Sequence, residues 1–166
     1  MVGEIRIKPN AIQKFIHRFL MLRPVSAFLA KVLHHADAFM LRLTRDRHSV
    51  AELVGLPIVQ LTTVGAKTGI RRVVPLVGVL DRETIALIAS SFGRKHNPGW
   101  YYNLKAHPEC SVYFNGRSGT YIARETEGDE RDHYWQIALS YYAGYEKYET
   151  RAAPRRIPVI VLEPKK

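Results

Sequence analysis

The sequence predicts an α+β fold: a small antiparallel barrel of about six strands with flanking helices and an amphipathic helix in front. Three observations carry that expectation. Short β-rich runs follow one another after Pro57, separated by brief polar turns. Helical patterns are confined to the front of the chain, to a short segment after Pro98 and to a stretch after Thr126. The 166 residues are 46% hydrophobic and 24% charged, enough for a buried core in one compact unit and unlike a disordered or disulfide-stapled chain.

At the front, Ile12, Phe15, Ile16, Phe19, Leu20 and Leu22 follow a helical pattern that Arg23-Pro24 interrupts. From Val25 to Leu43 the three-four spacing continues, with Lys31, Arg42 and Arg45 elsewhere on the wheel. This basic amphipathic helix either packs on the domain or lies on an anionic membrane surface through residues 11–45. The expected division is therefore an N-terminal helical extension, 1–50, and a barrel domain, 51–166.

The barrel begins with Ile58 to Thr63 and a turn at 64–69. Arg72 to Leu80 is the second strand, with Pro75 marking an edge or bulge. Asp81-Arg82-Glu83 connects tightly to the third, Thr84 to Ala89. Pro98 opens a short helix to about Ala106. Residues 110–114 and 119–125 form a hairpin about Asn115-Gly116, the strongest short turn signal. Residues 126–129 cap a helix running to about Tyr142. Ile157 to Leu162 closes the chain as a sixth strand.

The net charge is +10, and residues 1–50 hold 9 Lys/Arg against 3 Asp/Glu while 101–166 hold 10 against 9. The excess calls for an anionic partner. No nucleic-acid motif accompanies it, and the aromatics do not alternate with the basic residues, so nucleic acid is not the expected partner. Cys110 stands alone, which fits a reducing compartment. No signal peptide and no uninterrupted apolar span of about 18 residues is visible, so a cytoplasmic protein is expected, with a peripheral place on the inner membrane face if the helix binds lipid.

Metal is not expected: the seven histidines lack paired ligand spacing and one cysteine cannot complete a set. There is no G-x-S-x-G, and Cys110 opens an apolar strand. Gly65-Ala66-Lys67-Thr68-Gly69 lacks the Gly-Lys step of a nucleotide-triphosphate loop and precedes a strand. It does supply a turn with an ammonium and a hydroxyl, followed by Arg71 and Arg72, with Arg94 and Lys95 on the next polar loop. Tyrosines form a second cluster. Tyr141, Tyr145 and Tyr148 share a three-four helical face, as do Tyr142 and Tyr145, and such a stripe serves either as core or as the lining of a planar ligand.

The runs LTTVGAKTGIRRVVPL (61–76), ASSFGRKHNPGWYYNLKAHP (89–108) and IPVIVLEP (157–164) together resemble the deazaflavin-dependent nitroreductase family. That resemblance implies a split β-barrel and coenzyme F420, a deazaflavin with a lactyl-phosphate and oligoglutamate tail, in preference to FMN. It implies cofactor contacts at Lys67 and Thr68, at Arg72, Val73, Val74, Pro75, Leu76 and Val77, and at Ile88, Ala89, Ser90 and Ser91. It continues them through Gly99, Trp100, Tyr101, Tyr102 and Asn103. Tyr142, Tyr145, Tyr148 and Ser90 match the substrate side; Tyr145 is the expected catalytic hydrogen-bond donor, with the other three in support. Where many nitroreducing members carry tyrosine, this chain has Val77.

The expected activity is hydride transfer from the reduced deazaflavin to a small electron-poor acceptor: a quinone, an enone or a nitroaromatic. The alternatives are a non-catalytic carrier of the same cofactor and an FMN-binding oxidoreductase of the same barrel class.

Overall fold

A computed structural model describes residues 56–166. The helical pattern expected at residues 11–45 and the expected division at residue 50 lie outside the described residues.

Six strands close into a barrel in the order β1-β2-β3-β6-β5-β4, every neighbouring pair antiparallel. They are β1 (Ile58–Val64), β2 (Arg71–Asp81), β3 (Thr84–Ile88), β4 (Glu109–Phe114), β5 (Arg117–Glu125) and β6 (Val159–Pro164). The helices are α1 (Gly99–Ala106), α2 (Gly128–Tyr141) and α3 (Gly144–Ala152). The α+β reading and the six-stranded barrel are borne out.

Turn chemistry sets the register. Phe114 pairs with Arg117 across Asn115 and Gly116, both left-handed at φ 48° and 77°, so the β4–β5 hairpin closes in two residues. Side-chain alternation then sorts each strand into two layers. Val59, Leu61, Leu87, Ile160 and Leu162 fill the barrel interior, joined by Trp100 and Leu104 of α1. The residues between them, Val79, Ala86, Val159 and Val161, form the outer layer, covered by the aromatic faces of α2 and α3. β6 is buried on both faces, which is why its sequence reads as an unbroken apolar run.

Three local readings are corrected. The last strand starts at Val159 rather than Ile157, because Pro158 has no N–H to give the ladder; its carbonyl accepts from Ala89 N–H at 2.9 Å instead. Thr126 does not cap α2: its hydroxyl donates to the Val159 carbonyl at 3.1 Å, and the N-cap is Glu127. Most consequential, the tyrosine stripe does not lie on one helix. Tyr142 is extended (φ −150°, ψ 102°), ending α2, and α3 begins at Gly144. Tyr141 and Tyr145 thus belong to different helices, although all four tyrosines from 141 to 148 are buried.

Candidate active site

The β1–β2 turn is built around a bare Cα. Gly65 N–H donates to the Ile70 carbonyl at 2.9 Å, and Gly69 N–H to the Gly65 carbonyl at 2.8 Å. A Cβ on Gly65 would lie 2.6 Å from Thr68 Oγ1 and 3.7 Å from Arg72 Nε, so a side chain there would fill the space into which both groups fold. Asn103, projecting from α1, locks this turn in place: its Oδ1 accepts Ala66 N–H at 3.0 Å and its Nδ2 donates to buried Thr63 Oγ1 at 3.0 Å. Lys67, Thr68, Arg71 and Arg72 are exposed, and among the described residues no carboxylate pairs with Lys67, Arg71 or Arg72. Among the described residues, three cations without a carboxylate partner thus lie at or beside one tight turn, the charge pattern that suits an anionic ligand.

Next to this turn the two sides of β2 are paired over different stretches. β1 pairs with β2 from Arg71 to Val77, but β3 pairs only with Gly78–Asp81. Along 71–77 the second edge of β2 has no strand partner among the described residues. Its side chains alternate: Val74 and Leu76 pack on the barrel interior, whereas Val77 packs on the outer layer beside the tyrosines.

The loop after β3 forms the next piece. Ser91, Phe92 and Gly93 are all left-handed, at φ 50°, 56° and 79°. That conformation costs an ordinary residue roughly 1–2 kcal/mol, and it persists only where the surroundings impose it. Here α3 imposes it. A Cβ on Gly93 would meet Arg151 Cβ at 2.8 Å and the Tyr148 carbonyl at 3.0 Å, and the Phe92 ring lies edge-on to Tyr148 at 6.0 Å. Arg155 also donates to this loop, at the Ser90 and Arg94 carbonyls.

The tyrosine wall completes the arrangement. Tyr142 and Tyr148 hydroxyls lie 3.2 Å apart in a hydrogen bond, and Tyr145 packs against both rings and against Trp135. The fold-back of Tyr142 depends on Gly144, where a Cβ would overlap Cε1 and Cζ of that ring. Burial pushes the phenols of Tyr142, Tyr145 and Tyr148 above their ordinary value, with like-charge neighbours adding to it for Tyr142 and Tyr145. For Tyr148 the hydrogen bond from Tyr142 and the Arg151 guanidinium pull part of the way back. All three are neutral donors at physiological pH.

An alkaline stability limit follows. A phenol raised in the folded state ionises first in the unfolded chain, near its ordinary pKa of about 10. The stabilisation is whole below pH ~10 and is lost as pH rises beyond it. Circular dichroism and tyrosinate absorbance, followed together, are expected to show the buried phenols ionising in the same step as unfolding, above that pH. Full ionisation of all nine tyrosines near pH 10 in a still-folded protein would contradict the burial.

Of the other predicted cofactor positions, Ile88 joins the outer layer and Ala89 the interior, so Ala89 offers backbone rather than side chain. Trp100 points into the barrel interior. Tyr101 Oη donates to Glu125 Oε2 at 2.9 Å; burial, with this hydrogen bond adding to it, pushes the phenol up to about 12. Tyr102 remains half exposed, edge-on to Tyr101. Gly99 starts α1, and Ser90 and Ser91 enter the left-handed turn. Sequence reasoning missed Arg155, Phe92 and Gly144. Only the Gly144 step between two tyrosine pairs carried any local signal.

The antiparallel barrel thus brings together a cationic turn, a strand edge that has no strand partner among the described residues, and a cluster of buried phenols. The chain belongs to the F420H(2)-dependent quinone reductase family, whose profile it matches over residues 37–164. It is 34% identical over 109 residues to an F420H(2)-dependent quinone reductase of Mycobacterium tuberculosis, covering 64% of this chain and 72% of that one. Among solved structures it is similar to an F420-H2 dependent reductase at 42% identity and TM-score 0.60, over 64% of this chain and 94% of the other. A heme binding protein of Mycobacterium smegmatis, 18% identical with TM-score 0.54 over 72% of this chain and 52% of its own, shares the fold alone.

The expected cofactor and reaction class stand: this is an oxidoreductase that uses coenzyme F420. The resemblance read from the three sequence blocks is met in cofactor and barrel. Among the described residues no helix is long and apolar enough to cross a membrane, and no cluster of His, Cys, Asp and Glu could hold a metal.

Proposed function

We propose that the chain passes hydride from reduced F420 to a quinone, with the cofactor seated along the free edge of β2 and the acceptor against the tyrosine wall. One observation carries the reading: the cations at 67–72, which have no carboxylate partner among the described residues, adjoin the 71–77 edge of β2, which has no strand partner among them. The residues fit the group. The phosphate and glutamates of the tail would be held by Lys67, Thr68 and Arg72, with Arg71 as an outer charge, and the ring system would lie beside Val73–Val77 and the 88–91 segment. When bound, the cofactor supplies the hydride. Gly99 and Asn103 serve this site by placing α1 and pinning the turn.

On the acceptor side the chain's task is to meet negative charge on oxygen. The Tyr142–Tyr148 hydroxyl pair, neutral at working pH, offers a hydrogen bond that strengthens as that charge develops. Tyr145 lies behind both rings and sets their positions, and Ser90 stands where the loop meets this wall. Val77 packs on the same layer, and its small side chain leaves room for a fused-ring acceptor. Nitroaromatics and enones are weaker candidates than quinones, in keeping with the family's name.

The test is a titration of the full chain with F420 and with FMN at low and high salt. F420 is expected to bind more tightly, and its affinity to fall with salt because charge holds the tail. FMN binding as tight as F420 would overturn the reading. Reoxidation of reduced F420 by a soluble quinone, faster with protein than without, separates an enzyme from a carrier.

The basic amphipathic pattern in the 1–50 extension supports a second element: reversible attachment of residues 11–45 to an anionic membrane. Each basic residue near such a surface contributes about 1 kcal/mol, and each buried aromatic about 1.5–3 kcal/mol. Co-sedimentation with phosphatidylglycerol vesicles at low salt, weaker at high salt and with phosphatidylcholine, is expected. No binding to anionic vesicles would mean the apolar stripe packs on the barrel domain, 51–166.

A further inference from the structure

Arg155 lies outside every motif the sequence singled out, yet it makes the densest set of hydrogen bonds among the described residues. Its Nε donates to the Arg94 carbonyl at 3.1 Å, and Nη2 donates to the same oxygen and to the Ser90 carbonyl, both at 2.9 Å. Nη1 donates to the Ala89 carbonyl at 3.3 Å and to Asn97 Oδ1 at 2.6 Å. No carboxylate pairs with this guanidinium among the described residues. Its donors are directed at the loop joining β3 to α1.

We propose that Arg155 is a positioning residue for cofactor binding, holding the 89–97 loop in the left-handed form that walls the slot opposite the free edge of β2. The proposal rests on the reading of that slot given above. Two left-handed non-glycine residues do not hold themselves. With its donors on Ala89, Ser90 and Arg94, Arg155 fixes the residues on both sides of the strained turn and sets which way the Ser90–Ser91 peptide faces. Asn97 ties the same guanidinium to the approach to α1, the helix whose Asn103 pins the cationic turn. Lys95 Nζ donates to the Ala153 carbonyl, and Gly93 abuts α3, so the loop is fastened to the tyrosine-bearing helix as well. The planar fork matters: one ammonium cannot span four oxygens on different residues.

The test measures F420 affinity by quenching of the cofactor's own fluorescence, without acceptor. It compares the native chain with Arg155→Gln, Arg155→Lys and Arg155→Ala, at a temperature where each is folded by circular dichroism. Hydrogen exchange at Gly93 and Arg94, whose amides close the turn onto Ser90 and Ser91, reports loop order without cofactor. Arg155→Gln is expected to bind F420 at least about tenfold more weakly, the scale of one charged hydrogen bond, and to exchange those two amides faster. Arg155→Lys is expected to behave like Arg155→Gln, and Arg155→Ala to recover affinity with added guanidinium but not with sodium chloride of equal ionic strength. Native-like exchange in Arg155→Gln, native-like affinity despite faster exchange, or a loss that guanidinium does not restore would each overturn the proposal. The slot reading fails separately: it falls if removing Lys67 and Arg72 leaves F420 affinity unchanged, whatever Arg155 does.

Discussion

The double variant Lys67→Ala/Arg72→Ala is expected to bind F420 about 30-fold more weakly than the native chain, or worse. That corresponds to about 2 kcal/mol, a conservative sum for two charge-assisted hydrogen bonds to phosphate or carboxylate oxygens. Both side chains are exposed, Lys67 on the turn and Arg72 near the start of β2, so the core should be indifferent to their loss. Arg72 has an added role, because its Nε lies over the bare Cα of Gly65 beside Thr68 Oγ1. Salt should narrow the gap between native and variant chains, since screening weakens the attraction only where the cations remain. Fluorescence titration at two ionic strengths checks both the size and the salt dependence. A double variant with native affinity would place the tail elsewhere.

Gly144→Ala is expected to lower quinone turnover about tenfold or more while leaving F420 affinity nearly unchanged. The backbone there is not left-handed, so alanine is allowed as a helix residue. The conflict is with a neighbour: the new Cβ occupies the place of the Tyr142 ring. Tyr142 must swing away, and its hydroxyl loses the 3.2 Å contact with Tyr148. Tyr142→Phe removes the hydroxyl but keeps the ring, so it separates the hydrogen bond from the packing. Steady-state rates with a soluble quinone, set against the F420 dissociation constant, give the measurement. Full turnover in Gly144→Ala and in the Phe variants of Tyr142, Tyr145 and Tyr148 would reduce the wall to core.

The barrel was legible in the sequence because its determinants are local. Asn115-Gly116 dictates a two-residue hairpin wherever it falls between strands. The unbroken apolar run of the last strand declares burial on both faces, and Pro98 announces a helix start. The cationic turn was equally plain, since Gly65, Lys67, Thr68 and Arg72 are near neighbours in the chain. The three blocks that carried the family resemblance brought the cofactor with them.

Other features were decided by contacts between distant residues. A helical wheel drawn through residues 141–148 assumes one continuous helix, and the break at Tyr142 exists because its ring closes over Gly144. The edge of β2 that has no strand partner among the described residues is a matter of register: β3 stops pairing at Gly78, leaving a long strand beside a short one. The left-handed turn at 91–93 has no sequence signal beyond Gly93, since Ser91 and Phe92 are held against their preference by α3 and Arg155. Arg155 looks like any surface arginine in the sequence, and Ala89 is 66 positions away along the chain. Local pattern determined the strands, the hairpins and the charged turn, because short-range sterics and burial periodicity act within a few residues. Closure of the barrel alone decided where the wall opens and which side chains meet across it, because that depends on register and on hydrogen bonds between segments far apart in sequence.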